Sequence, residues 1–86
     1  MHFVTTKRPD FTLFCMSPSE RFALGLDERQ VVSFFVRGAA GDWQVARRWN
    51  SAQYSHTTFM AALRQRDEPA DPLELLRLLP PELPAL

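Results

Sequence analysis

The chain predicts a small α+β domain: an antiparallel sheet of three or four strands with two to three short helices, in the order β-β-α-β-β-α-α. Three observations carry that expectation. Short runs of β-branched and aromatic residues recur along the first fifty positions. A small-residue segment, Gly38-Ala39-Ala40-Gly41, interrupts the longest of them in the manner of a hairpin loop. Two stretches combine a capping residue, a proline and a glutamate in the order that opens a helix.

The first strands are expected at 2–6 (HFVTT) and 11–16 (FTLFCM), separated by Lys7-Arg8-Pro9-Asp10. Proline at the third position of that connector suits a turn. The second run is apolar at both parities, with Phe11, Leu13 and Cys15 alternating against Phe14 and Met16, as in a strand covered on both sides.

Ser17-Pro18-Ser19-Glu20 then predicts a helix over 18–24: Ser17 as cap, Pro18 at the first helical position, Glu20 reaching back, and Gly25 ending it. Asp27-Glu28-Arg29 reads as a polar connector. In the hairpin that follows, a loop at 38–41 sets Arg37 opposite Asp42 and Val36 opposite Trp43. Alternation then puts Val32, Phe34, Val36, Trp43 and Val45 on a core face, with Arg47 and Trp49 continuing on that side. Phe35, Arg37, Gln44 and Arg48 fall on the other face.

Ser55 or Thr57 can cap a helix running to about Arg66, whose stripe Phe59, Met60, Leu63 has three- and four-residue spacing. Asp71-Pro72-Leu73-Glu74 opens a last short helix that Pro80-Pro81 must stop. Residues 1–69 are accordingly expected to form one compact domain, and residues 70–86 a Leu/Pro-rich helix and tail packing on it or on a partner.

Composition narrows function. An apolar fraction of 45% and an aromatic fraction of 12% belong to a packed domain. Ten basic residues balance ten acidic ones, so the positive field that draws proteins to nucleic acids or anionic membranes is missing. The balance is uneven along the chain: residues 1–49 hold seven basic against five acidic residues, and residues 50–86 hold three against five. The apolar runs FTLFCM and VVSFFV fall far short of the roughly twenty residues a spanning helix needs. No membrane association is expected, and the cytoplasm is the expected compartment.

Chemistry-bearing residues are sparse. Cys15 lies in an apolar strand without a basic sequence neighbour, and His2 and His56 have no metal-ligand spacing between them. Ser17 and Ser19 read as capping residues. The sequence therefore predicts no enzyme, no metal and no cofactor. Gly38-x-x-Gly41 resembles a phosphate-clamping loop only in its glycine spacing, since it joins two strands rather than two helices.

Two surfaces remain. Leucines 73, 75, 76, 78 and 79 surround a helix of barely two turns, more than one apolar stripe requires. This makes Leu75, Leu76, Leu78, Leu79, Leu83 and Leu86 the expected contact surface of a protein-protein interaction module. Such a regulator or inhibitor would occupy another protein's surface or form a homodimer. The alternative is a nucleic-acid-binding module using Phe35, Arg37, Gln44, Arg47 and Arg48, an aromatic–arginine set able to stack bases and hold phosphates. Zero net charge disfavours it, and Asp42 opposite Arg37 would cancel charge there.

Overall fold

The computed structural model describes residues 3–50 and 56–78. Five strands form one antiparallel meander in chain order: β1 (Val4–Thr5), β2 (Leu13–Met16), β3 (Phe22–Leu26), β4 (Val31–Arg37) and β5 (Trp43–Asn50). A helix, α1 (His56–Arg64), and a 3-10 helix (Pro72–Leu78) follow. The α+β class stands, with five strands instead of three or four and two helical elements after the sheet.

The expected helix at 18–24 is a strand preceded by a turn. The same residues supply both alternatives. Ser17 Oγ accepts hydrogen bonds from the backbone N–H groups of Arg21 (3.2 Å) and Phe22 (3.3 Å), and Glu20 N–H donates to Ser17 O at 2.9 Å. Glu20 takes a left-handed φ of 62°, which ends any helical continuation at the position where a capping box would need it helical. Phe22–Leu26 then gains neighbours on both edges, Phe22 opposite Val36 and Leu24 between Cys15 and Phe34. A two-turn helix could not match that pairing.

The next turn repeats the design with different residues. Asp27 Oδ1 accepts from Arg29 N–H (2.9 Å) and Val31 N–H (3.0 Å), and Gln30 adopts a φ of 64°. The polar connector at 27–29 is thus a hairpin loop closed by its own aspartate.

The β4–β5 hairpin corrects the expected parity twice. Its loop is three residues, 39–41: Gly38 N–H donates to Asp42 O at 2.7 Å, and Gly41, at φ 86°, supplies the left-handed residue. Arg37 therefore pairs with Trp43 and Val36 with Gln44. Neither the Arg37–Asp42 nor the Val36–Trp43 pairing forms. A one-residue slip exchanges faces, so Trp43 and Val45 leave the core side and Gln44 moves onto it. Further along, the register shifts between Phe34 and Phe35: Phe35 pairs with Val45, Phe34 with Arg47, and Ala46 is left over as a bulge. The second offset cancels the first. Trp49, opposite Val32, returns to the core at 1% exposure.

One sheet face carries the main core, where Cys15, Phe22, Leu24, Val32, Phe34 and Trp49 meet Phe59, Met60 and Leu63 of α1 and Leu75 of the 3-10 helix. The α1 stripe is as the spacing predicts. Asp71 opens the 3-10 helix, its Oδ1 accepting from Leu73 N–H at 3.0 Å. Arg21 fixes the approach to that helix. Its guanidinium donates to Pro69 O (2.6 Å) and Ala70 O (2.7 Å) and pairs with Glu68 at 3.1 Å; Ser19 also donates to Glu68. His2, Ser55 and the Pro80-Pro81 stop lie outside the described residues.

Deleting Ala46 tests the two offsets. Without the bulge residue, either Trp43 or Trp49 has to change faces. Urea denaturation should show a loss comparable to emptying a large core site, about 3–5 kcal/mol, whereas Ala46→Gly should cost under about 1 kcal/mol. A deletion variant as stable as the parent would show that the bulge does not set the register.

Candidate functional site: the second sheet face

The second face lies across the sheet from α1 and the 3-10 helix. It carries its own cluster, in which Phe14, Ala23 and Phe35 are buried and Phe11, Met16 and Trp43 are packed around them. Four rings interlock there. Phe11 meets Phe14 at 5.4 Å and Phe35 edge-on at 5.6 Å, while Phe14 contacts Phe35 at 5.8 Å and Trp43 edge-on at 6.1 Å. Tilted and edge-to-face pairs of this kind each add about 0.5–1.5 kcal/mol beyond area burial.

Two backbone features bring these rings together. Phe11 arrives from the β1–β2 loop, held by its bridge to Arg8, its N–H donating to Arg8 O at 3.2 Å. It settles over Gly25, where an added Cβ would stand 2.8 Å from two of its ring carbons and 3.2 Å from Phe35. Gly25 is therefore the seat of Phe11 in mid-strand, not a helix terminator. The short hairpin loop contributes the second feature by turning Trp43 onto this face.

Arginines finish the surface. Arg8 lies over the Phe14 ring at 4.8 Å and Arg37 over Trp43 at 4.1 Å, cation–π contacts that let exposed guanidiniums cover apolar rings. Arg37 also donates to Glu20 O (2.8 Å) and Gly41 O (3.0 Å), linking the tips of two hairpins. Its restraint comes from carbonyls and an indole. Asp42 instead accepts a long 3.5 Å hydrogen bond from Gln44.

The five residues considered for nucleic-acid binding thus divide. Phe35, Arg37 and Arg48 share the second face, Arg48 opposite Ser33. Gln44 and Arg47, paired with Val36 and Phe34, take the core-side parity at the outer strand. Phe35 is 8% exposed, too enclosed to stack on a base. The register reveals two members that alternation from a four-residue loop misses, Trp43 and, through Gly25, Phe11.

The leucine surface divides as well. Leu75 is 4% exposed within the main core and Leu76 packs partly buried against it, so these two hold the 3-10 helix to the sheet. Leu73 is the exposed one, at 47%. The Leu78 side chain and Leu79, Leu83 and Leu86 lie outside the described residues.

Among the described residues there is no group of three or more His, Cys, Asp or Glu side chains able to hold a metal. Cys15 is buried, its Sγ 3.9 Å from Thr5 Oγ1. No helix among them is long and apolar enough to cross a membrane. Comparison with protein-family models, with curated proteins and with solved structures gave no match.

The seating of Phe11 on Gly25 is open to a double-mutant cycle. Gly25→Ala should cost about 1–3 kcal/mol through overpacking. In a Phe11→Ala background the same change should be neutral or favourable, because alanine restricts the unfolded chain. Equal costs in both backgrounds, measured by chemical denaturation, would dissociate the two residues.

Proposed function

We propose that this protein is a small non-enzymatic interaction module that docks a partner protein on its second sheet face, at the end built from Met16, Arg37 and Trp43. The observation that carries this reading is the make-up of that surface. Half-buried Phe11, Met16 and Trp43 surround buried Phe14 and Phe35, with arginines laid over the rings. Aromatic residues, Met and Arg are the types enriched at protein-protein interfaces and at their energetic centres. A sheet face held rigid by interlocked rings also loses little side-chain freedom on binding.

Charge selects the partner's chemistry. Both cations packed on the rings are arginines, and Asp42 pairs with Gly38 on the opposite parity. A complementary segment presents apolar side chains bracketed by Asp or Glu, whose carboxylates meet Arg8 and Arg37 while its apolar groups cover Trp43 and Met16. The sheet face is favoured over the leucines as the docking surface because two of the leucines hold the chain's own core.

Peptide display on the purified full chain tests the reading. Selected peptides should share apolar residues flanked by acids. They should lose about tenfold in affinity, near 1.4 kcal/mol, against Trp43→Ala, and bind Leu73→Ala unchanged. Peptides that bind Trp43→Ala as tightly as the parent overturn it. So does a Trp43-dependent oligonucleotide complex at physiological salt, or a dimer in light scattering that Trp43→Ala dissociates; these outcomes assign the face to nucleic acid or to a second copy.

A further inference from the structure

The opposite end of the second face holds a groove of about 490 Å³, within the size range of small-molecule sites. Phe11 and Phe35 give it an apolar wall, and Ser33 lies at its base, 3% exposed. Asp10 and Asp27 line it from the β1–β2 loop and the β3–β4 turn, beside Arg29. Arg48 lines it from β5, opposite Ser33 in register.

Two features of this groove have no role in the fold. The Ser33 hydroxyl is buried with no hydrogen-bond partner among the described residues, a state that ordinarily costs stability. Arg48 and Arg29 form no ion pair among the described residues although two carboxylates line the same groove. Asp27 is half engaged, its Oδ1 accepting from two backbone N–H groups. Asp10, Asp27 and Arg29 reach the groove from the two loops and Arg48 from β5, so the loop side holds both acids and the β5 side only a cation. Apolar rings and an unsatisfied hydroxyl lie between them.

We propose that this groove binds a free α-amino acid with an aromatic or large apolar side chain. The carboxylate is held by Arg48 and the Ser33 hydroxyl. The ammonium is held by Asp10 and the free oxygen of Asp27, and the side chain packs on the half-buried Phe11 ring, with Phe35 contributing only its small exposed part. A carboxylate alone would face two acids, and an ammonium alone would leave Arg48 and Ser33 unmet. A zwitterion answers both ends. The assignment does not depend on the protein-docking reading, which concerns the Trp43 end.

Titration of the ¹⁵N-labelled full chain with L-phenylalanine tests it. Saturable shifts are expected at the amides of Ser33, Phe35 and Arg48. N-acetyl-L-phenylalanine, lacking the ammonium, and L-phenylalaninamide, lacking the carboxylate, should each bind at least about tenfold more weakly. Ser33→Ala should weaken L-phenylalanine binding several-fold while leaving the denaturation midpoint unchanged or higher, since it removes an unsatisfied buried hydroxyl. Absent shifts at millimolar ligand, equal binding of either blocked analogue, or a lowered midpoint for Ser33→Ala would each overturn the assignment. Retained binding of N-acetyl-L-phenylalanine with loss of the amide would identify a peptide C-terminus as the ligand instead.

Discussion

Side-chain parity along β5 is the constraint on which both faces depend. The strand has two tryptophans six residues apart, which simple alternation places on one side. The main core needs Trp49, and the aromatic cluster on the opposite face needs Trp43. A single irregularity, the bulge at Ala46, reconciles them. Paired with a three-residue loop, it lets the hairpin serve two clusters at once and gives the outer strand a local twist. That twist lies where exposed Arg47 and Arg48 also discourage edge-to-edge pairing with another chain.

Two clusters solve the stability problem of a chain this short, which buries only a little over about 60% of its unfolded surface. β3 and β4 are interior strands of the meander, buried at eight of their twelve positions, and their buried apolar side chains belong to one cluster or the other. The helical elements are enough for one face. The second is closed by side chains alone: Phe11 folded back over Gly25, and Arg8 and Arg37 laid across the rings. A face closed that way retains partly exposed aromatics and adjacent hollows, and these are the features a ligand or partner can use.

What the sequence made legible depended on whether one local rule governed a segment. The stripe Phe59, Met60, Leu63 is helical by spacing and has no competing reading, and α1 forms over it. Ser17-Pro18-Ser19-Glu20 had two readings, because a hydroxyl that caps the first turn of a helix can equally receive the N–H groups of a hairpin loop. The decisive signal was non-local. Ser17, Asp27 and Gly38 mark turns ten and eleven residues apart, the spacing of a meander, while Phe22, Leu24 and Leu26 alternate between them. In β5, two offsets of one residue compensate in parity, so simple alternation gives the faces of Arg48 and Trp49 but not those of Trp43 and Gln44. Neither offset has a composition of its own. Phe11 was legible as apolar, but its partner across the face is a glycine, and absence of a side chain does not advertise a contact.

The arginines show why residue type alone identified the site poorly. In the sequence, Arg37, Arg47 and Arg48 look equivalent. In the fold, Arg37 is tied to two carbonyls and an indole, much as Arg21 is tied to Pro69, Ala70 and Glu68. Both act as clamps between segments distant in sequence, a role suited to a planar group with five donors. Their N–H donors are already engaged within the fold, so counting either as a free bidentate phosphate clamp overstates it, while Arg37, bonded only to neutral acceptors, keeps its net charge for a partner's carboxylate. Arg48 differs because the bulge delivers it beside Ser33 without an ion-pair partner among the described residues. The distinction between a structural and an available guanidinium is set by backbone register, and it divides the aromatic–arginine stretch around the hairpin into a clamped, ring-covered surface at the Trp43 end and a groove with an unpaired guanidinium at the Arg48 end.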